Sequence, residues 1–413
     1  MDMARQSERK EPYIRKTATL LTVERDAFAS FSFDREACLV RGAWKEQMVR
    51  WGLDGSALLK TLSAPGKVEK REKLNSEAGL ALAAAFYERA AEMLVGMAVP
   101  DDWQSVRERV ISSGPAAMNK RAADFHRIYA PVGILPPDQY GALVLQLTTG
   151  CRYNRCSFCT FYRGQKYMVK SPEAFAEHIR QVKAMLGAAL ERRQAIFLGD
   201  AGALNVPRYI LLEAMDLLAE HFPLPTAVAR PRWPVYAFMD AFGVGPAALT
   251  EADVGTNAAA LTTADFAMLR EMGLSRVYIG VESGSEAVLR MLNKPVRPQV
   301  VAALVKTLKE AGIAVGVIFL LGVGGQKLAA QHAEESAALL AELPLDGQDT
   351  VFFSELVADE KSSYSDWVRR LVITPLTPEE LAEQERAMRR TLPPREAGGP
   401  AVTRYDVREF IYY

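Results

Sequence analysis

The sequence of 413 residues predicts an α/β fold: a partial (β/α)6 TIM-like barrel with a helical N-terminal extension and a short α+β C-terminal tail. From Leu143 onward, short apolar runs alternate with amphipathic stretches, which is the pattern of strand–helix units in a parallel sheet. Six such units occur, too few for a complete eight-stranded barrel. We therefore expect an extension over residues 1–138, a barrel over 139–357 and a tail over 358–413 that closes the barrel.

The barrel elements follow in regular order. The expected strands are Leu143–Thr148, Ala195–Gly199, Val235–Asp240, Arg276–Val281, Ala314–Leu321 and Thr350–Leu356. The expected helices are Ser171–Ala189, Val206–Glu220, Thr262–Met272, Ser285–Leu292, Pro298–Ala311 and Lys327–Glu342. Glycine-bearing loops at 201–206 and 323–326 follow two of the strands, where an α/β barrel builds its site.

The segments on either side of the barrel have a different pattern. In the extension, Leu80–Val99 and Asp102–Ile128 indicate helices, and Gly66–Lys73 indicates a charged connector. In the tail, we expect a helix at Thr377–Thr391 and, after a Pro/Gly-rich break, a strand-like run at Arg404–Tyr413. Because an open sheet edge favours a covering segment, we expect this last run to close the barrel edge.

The composition is that of an ordinary globular protein. Hydrophobic residues make up 49% and charged residues 24%, which excludes a disordered or collagen-like chain. The 50 basic residues balance the 50 acidic ones, so the net charge points neither to nucleic acid nor to an anionic membrane. No apolar run is long enough to span a bilayer, and the N-terminus has no secretory apolar segment. We expect a cytoplasmic protein.

Three of the four cysteines lie within nine residues, directly after the first expected strand. Cys151, Cys156 and Cys159 give the spacing C-x4-C-x2-C, and three such thiolates can hold three irons of a 4Fe–4S cluster while one iron stays open for chemistry. A structural zinc site needs four ligands, and His126 and His178 lie roughly 20 residues away in sequence. Zinc and a chance group of buried thiols remain alternatives.

This loop resembles that of the radical S-adenosylmethionine (SAM) enzymes. Their usual motif is C-x3-C-x-Φ-C with an aromatic Φ, and Phe158 stands at that position, with one extra residue between the first two cysteines. Later segments add to the resemblance: Arg276–Ser285 with Asn293–Lys294 is similar to the fourth-strand signature of the branch that includes methylthiotransferases and coproporphyrinogen-oxidase-like proteins. Gly316–Gly325 is similar to the next strand and its glycine turn.

The resemblance implies two cofactors, one oxygen-sensitive 4Fe–4S cluster held by the three cysteines and SAM. The residues that it implies for SAM binding are Phe158, Gly199, Asp200, Glu282, Ser283, Gly322 and Gly324. An ordinary alternative stands beside five of these residues: loop packing for the phenylalanine, a turn cap for the aspartate, an exposed side chain for the glutamate and a tight turn for the last two glycines.

The same resemblance narrows the reaction. Members with auxiliary clusters need further cysteines, and only Cys38 remains; where coproporphyrinogen oxidases carry a fourth cysteine, this chain has Phe161. The kind of family member that remains is a single-cluster enzyme that cleaves SAM and abstracts hydrogen from a small-molecule substrate. The alternatives are a radical SAM modifier of RNA or protein, and a non-catalytic iron–sulfur or SAM-binding protein.

The cysteine loop is also locally basic. No acidic residue occurs from position 139 to 172, and the five cations there are Arg152, Arg155, Arg163, Lys166 and Lys170. A solvated basic face is the default interpretation. The alternatives are docking of an acidic electron donor such as flavodoxin or ferredoxin, and attraction of an anionic substrate. We expect neither a membrane nor a nucleic acid as partner.

Overall fold

A computed structural model describes residues 11–64, 67–222, 233–241, 261–360 and 362–413. The chain divides into two compact units. The first contains residues 1–132, 178–193 and 409–413, and the second contains residues 133–177 and 194–408.

The first unit contains a seven-stranded antiparallel sheet in which each strand pairs with the next along the chain. Its strands are β1 (Tyr13–Lys16), β2 (Leu21–Asp26), β3 (Ala29–Phe33), β4 (Leu39–Trp44), β5 (Gln47–Trp51), β6 (Ala57–Ala64) and β7 (Lys67–Leu74). The prediction of a helical extension is therefore wrong for residues 13–74. The expected charged connector is in fact β7, an edge strand that shows no apolar alternation because most of its residues are exposed.

Three helices follow in the first unit: α1 (Ser76–Leu94), α2 (Gln104–Ser113) and α3 (Ala116–Ile128). Both predicted helical segments are confirmed, with a break in the second at Gly114 and Pro115. The side chain of Asn75 accepts a hydrogen bond from the N–H of Ala78 at 2.9 Å and so caps α1. Phe86 of α1 packs edge-on against Phe31, which places the core between this helix and the sheet.

The second unit contains an eight-stranded sheet with the order β15-β14-β13-β12-β11-β10-β8-β9. Its strands are β8 (Leu143–Cys151), β9 (Met168–Val169), β10 (Ile196–Ala201), β11 (Val235–Phe238), β12 (Leu274–Glu282), β13 (Ala314–Leu321), β14 (Thr350–Glu355) and β15 (Ala401–Arg404). All pairs are parallel except β8 with β9. The six predicted strands are confirmed, and the partial barrel with them.

The helices of the second sheet follow its strands. They are α4 (Pro172–Leu186), α5 (Arg208–His221), α6 (Thr263–Glu271), α7 (Glu286–Met291), α8 (Pro298–Glu310), α9 (Gly325–Glu342), α10 (Ser363–Arg370) and α11 (Pro378–Arg389). From residue 178 onward, α4 belongs to the first unit. All the predicted barrel and tail helices are confirmed. The sequence analysis missed α10, which is short and largely polar. Within the described residues, the structure contains no helix with the length and apolarity needed to cross a membrane.

The tail covers the sheet edge, but not with the expected residues. β15 pairs in parallel with β14, whereas residues 405–413 form no strand. The prediction of a strand at Arg404–Tyr413 is therefore wrong. The ladder ends where the N–H of Tyr405 donates to the carbonyl of Phe353, and the Tyr405 hydroxyl then donates to the carbonyl of Leu135 at 2.6 Å.

Candidate functional site

The cluster loop, residues 151–159, begins at the carboxyl end of β8. Strand pairing places Cys151 opposite Ala201, the last residue of β10. The loop therefore lies where parallel strands of an α/β barrel present their functional residues.

The three thiols lie close enough to influence one another. Burial, with a smaller contribution from the neighbouring thiols, raises the pKa of Cys156 to about 12 and that of Cys159 to about 11. The N–H of Asn154 lies 3.4 Å from Cys151 Sγ, and the backbone at Phe161 also donates toward Cys159. Backbone N–H groups aimed at sulfur stabilise thiolates that are bound to iron.

This donor set fits an iron–sulfur cluster. Within the ranges that the structure describes, no three His, Cys, Asp or Glu side chains converge closely enough to hold one metal ion. A 4Fe–4S cluster instead takes each thiolate on a different iron, so its ligands do not need to converge on one point. Three neighbouring thiols with backbone donors meet that requirement.

The cluster loop is anchored to the end of α7, which the sequence analysis did not foresee. The N–H of Ser157 donates to the carbonyl of Leu292 at 2.9 Å, and its hydroxyl donates to the carbonyl of Met291 at 3.0 Å. The Asn293 side chain donates to the carbonyl of Arg155 at 2.7 Å. These contacts give a structural role to the Asn of the Asn293–Lys294 signature.

Phe158 is half-buried. It packs against an apolar cluster of Val288, Leu292, Leu320, Val323 and Tyr364. This contact agrees with loop packing, the alternative considered for this residue, and its role in SAM binding remains a proposal.

Asp200 is buried at the end of β10. Gln146 Nε2 donates to its two carboxylate oxygens at 3.3 and 3.1 Å, and the backbone of Gly150 also donates to it. Burial raises the pKa of Asp200 to about 7. A Cβ at the neighbouring Gly199 would lie 3.2 Å from the Val144 side chain, which would have to shift by a few tenths of an ångström. The carboxylate thus supports the residue before the first cysteine.

Glu282 and Lys294 form a buried ion pair at the thiols. Lys294 Nζ lies 2.6 Å from Glu282 Oε1, and both side chains are about nine-tenths buried. Burial alone would lower the pKa of Lys294, but the Glu282 carboxylate and the Cys156 thiol raise it. Gly280 makes room for the pair, because a Cβ there would lie 2.6 Å from Glu282 Oε1. An exposed Glu282 is therefore excluded.

Ser283 belongs to a hydrogen-bond network instead of an open site. Its hydroxyl lies 2.8 Å from His332 Nδ1 and accepts from the N–H of Ser285 at 2.9 Å. His332 Nε2 lies 2.8 Å from the carbonyl of Leu320, which can only accept, so Nε2 carries the proton and Nδ1 accepts from Ser283. Burial lowers the pKa of His332 to about 4, which keeps it neutral near pH 7. The structure thus gives this serine a supporting position, and a direct contact with SAM is not favoured.

The two turn glycines also have protein partners. The N–H of Gly322 donates to Gln384 Oε1 at 2.8 Å, and the N–H of Gly324 lies 3.0 Å from the Tyr364 hydroxyl. Both glycines have positive φ, 82° and 75°. The arrangement agrees with the tight-turn alternative, because α10 and α11 already use the N–H groups that were expected to approach SAM.

The basic face is smaller than the sequence indicates. The Arg152 side chain is 3% exposed and lies 3.8 Å from the carboxylate of Asp240, and Lys170 donates to the carbonyl of Gln146 at 2.8 Å. Two of the five cations are thus directed inward. The exposed ones are Arg155, Arg163 and Lys166.

A cavity of about 390 Å³ lies beside the Glu282–Lys294 pair. Its lining includes Lys294, Arg290, Arg297, Leu289 and Ala241. This volume is in the range of small-molecule sites.

A family model described as the radical SAM superfamily matches residues 145–339. Residues 145–339, just under half of the chain, are therefore a radical SAM domain. The matched segment contains the cluster loop, Asp200, the Glu282–Lys294 pair and His332. Radical SAM members are enzymes whose cofactors are a 4Fe–4S cluster and SAM.

A search of curated proteins found no match. Among solved structures, methylornithine synthase (PylB) is 14% identical, with a TM-score of 0.40, covering 77% of this chain and 81% of that one. Coproporphyrinogen III oxidase (HemN) from Escherichia coli is 14% identical, with a TM-score of 0.38 and 64% and 55% coverage.

The radical SAM methyltransferase TsrM from Kitasatospora setae is 16% identical, with a TM-score of 0.36. The alignment covers 56% of this chain and 37% of TsrM. The match thus spans well under half of that protein. Likenesses at this level carry no argument on substrate or mechanism.

Proposed function

We propose that the protein is a radical SAM enzyme in which Cys151, Cys156 and Cys159 hold one 4Fe–4S cluster, and that it abstracts hydrogen from a small-molecule substrate in the cytoplasm. The bound cluster supplies the electron that cleaves SAM to a 5′-deoxyadenosyl radical. The observation that carries the proposal is the group of three thiols at the carboxyl end of β8, with backbone donors toward sulfur.

The Glu282–Lys294 pair is the best candidate for the amino-acid end of SAM. A buried carboxylate and a buried ammonium lie side by side next to Cys156. They are complementary to an ammonium and a carboxylate respectively, so SAM can exchange partners with them without leaving a buried charge unpaired. Asp200 is the weaker candidate, because Gln146 and Gly150 already donate to its carboxylate.

The cavity lined by Lys294 and Arg297 supports a small substrate that carries negative charge. Both cations line it together with the apolar side chain of Leu289. Arg290 and Glu286 line it as well, so three cations face one carboxylate, and the excess positive charge is complementary to an anion.

Anaerobic reconstitution tests the proposal. We expect about four irons per chain and, with dithionite and SAM, formation of 5′-deoxyadenosine. Changing all three cluster-loop cysteines to alanine should abolish both. Cys38→Ala is the matched control, since this thiol is buried in the first unit with its pKa raised to about 12 by burial.

Iron retained by the triple variant, or about eight irons per chain, would contradict the single-cluster proposal. An intact cluster without SAM cleavage would favour the non-catalytic alternative.

A further inference from the structure

One face of the antiparallel sheet gathers basic side chains from four adjacent strands. We define this cationic face as Arg41 on β4, Arg50 on β5, Lys60 on β6, and Arg71 and Lys73 on β7. The register places Arg41 opposite Arg50 and Lys60 opposite Arg71. Side chains directly opposite each other in an antiparallel pair lie on the same face, and alternate residues of a strand share that face.

The other face of the sheet packs on the core. Gly42 lies against the Phe86 ring of α1, and Trp51 donates to the carbonyl of Gly79 at 2.9 Å. These residues alternate with those of the cationic face, so the cations are directed away from α1. Arg41 and Lys73 are exposed.

One carboxylate forms ion pairs with three of these cations. Glu409 lies 3.2 Å from Arg50, 2.6 Å from Lys60 and 2.8 Å from Arg71. Three positive charges and one negative charge leave this group with a net charge of plus two. Like charges directly opposite each other destabilise a sheet. Glu409 offsets the repulsion between Lys60 and Arg71, and an anionic ligand would offset the positive charge that remains.

The surroundings of the cations favour an extended ligand with apolar groups. Neighbouring strands are about 4.8 Å apart, so the cations on β4 to β7 span roughly 14 Å, on either side of Leu58, which lies opposite Arg50 and Lys73 on this face and is 2% exposed. Met48 lies opposite Lys60 on this face and is 47% exposed, and the Tyr413 ring lies 5.5 Å from the Arg50 guanidinium. Proteins that bind single strands combine cations for the phosphates with apolar or aromatic side chains under the bases.

We propose that the cationic face binds single-stranded nucleic acid. An acidic protein would use the charges but would have no need of the exposed Met48. The sequence conceals this surface because its cations alternate along their strands with residues of the other face, and acidic residues elsewhere in the chain keep the composition neutral. The proposal is independent of the cluster chemistry.

Fluorescence anisotropy with an oligouridylate of about 12 nucleotides tests the proposal. We expect binding that weakens steeply from roughly 50 to 200 mM salt, with a log–log slope of about 3 for four phosphate contacts. Arg41→Glu with Lys73→Glu should lower the affinity at least tenfold and reduce the slope by more than one. Lys70→Glu is the matched control, because it makes the same change on β7 but on the other face, and it should bind within twofold of the parent.

Each other result overturns the proposal. These results are an absence of binding at low salt, the same loss of affinity in Lys70→Glu as in the double variant, and equally effective competition by polyglutamate, which would indicate an acidic protein partner. Thermal unfolding shows whether the variants fold. Arg41→Gln with Lys73→Gln removes the charges without adding acids and gives the same ranking if the reversal variants do not fold.

Discussion

The buried ion pair between Glu282 and Lys294 allows a quantitative prediction. Lys294→Met leaves the Glu282 carboxylate buried without its partner at 2.6 Å. Removal of one member of a buried pair costs about 3 to 5 kcal/mol of folding free energy. In the same way, Glu282→Gln leaves the Lys294 ammonium buried without its partner carboxylate. The double variant loses both charges and should recover part of the loss, which gives a coupling energy of about 2 to 3 kcal/mol.

Urea unfolding of the cluster-free protein measures these four free energies. The control cycle uses Arg290 and Glu286, an exposed pair of side chains on α7 at 3.4 Å. Because solvent screens that pair, its coupling should be no more than about 0.5 kcal/mol. The raised pKa of Lys294 contributes stability that is present below the lysine's ordinary pKa of 10.5 and is lost only above it. The coupling should therefore stay constant from pH 6 to 9.

Equal coupling in the two cycles would refute the argument that burial makes this pair strong. A second measurement links the pair to SAM. In the reconstituted protein, Lys294→Met and Glu282→Gln should both weaken SAM binding while the visible spectrum of the cluster stays unchanged. Unchanged SAM affinity in both variants would show that the pair is only structural.

Two further predictions concern His332 and the exposed basic residues. Burial lowers the pKa of His332 to about 4, so its contribution to stability is present above pH 6.5 and is lost as the pH falls toward 4. In urea unfolding, His332→Gln should flatten the dependence of stability on pH over this range. An unchanged profile would contradict the buried neutral state. Arg163→Glu with Lys166→Glu should slow turnover driven by flavodoxin, most at low ionic strength, and leave turnover driven by dithionite unchanged. Arg370→Glu, an exposed reversal on α10, is the control, and equal losses with both reductants would contradict donor docking.

The barrel was predictable from the sequence because its strands are buried on both faces and stand out as apolar runs between amphipathic helices. β13, for example, is buried along its whole length and was predicted with its observed bounds. The antiparallel sheet was not predictable in this way. β7 is almost entirely exposed, and its alternating charges match no simple apolar period.

The candidate site, like the fold, has one part that the sequence predicts and one part that it does not. The three cysteines could be found because their spacing alone indicates a cluster. The partners of Ser283, Gly322 and Gly324 could not, since they lie on α9, α10 and α11, about 40 to 60 residues further along the chain. Only the packing of these helices against the ends of β12 and β13 shows that hydrogen-bond groups expected to face SAM are already used.

Asp200 shows why a position in a motif does not by itself define a role. The sequence places a carboxylate at the end of the second barrel strand, and the structure places it there as well. Its oxygens, however, accept from Gln146 and from the backbone of Gly150, so they point toward the start of the cluster loop. The carboxylate that lies next to the thiols together with a buried cation is Glu282. Charge and proximity therefore favour Glu282 for the cofactor, and favour Asp200 for holding the strand end from which Cys151 projects.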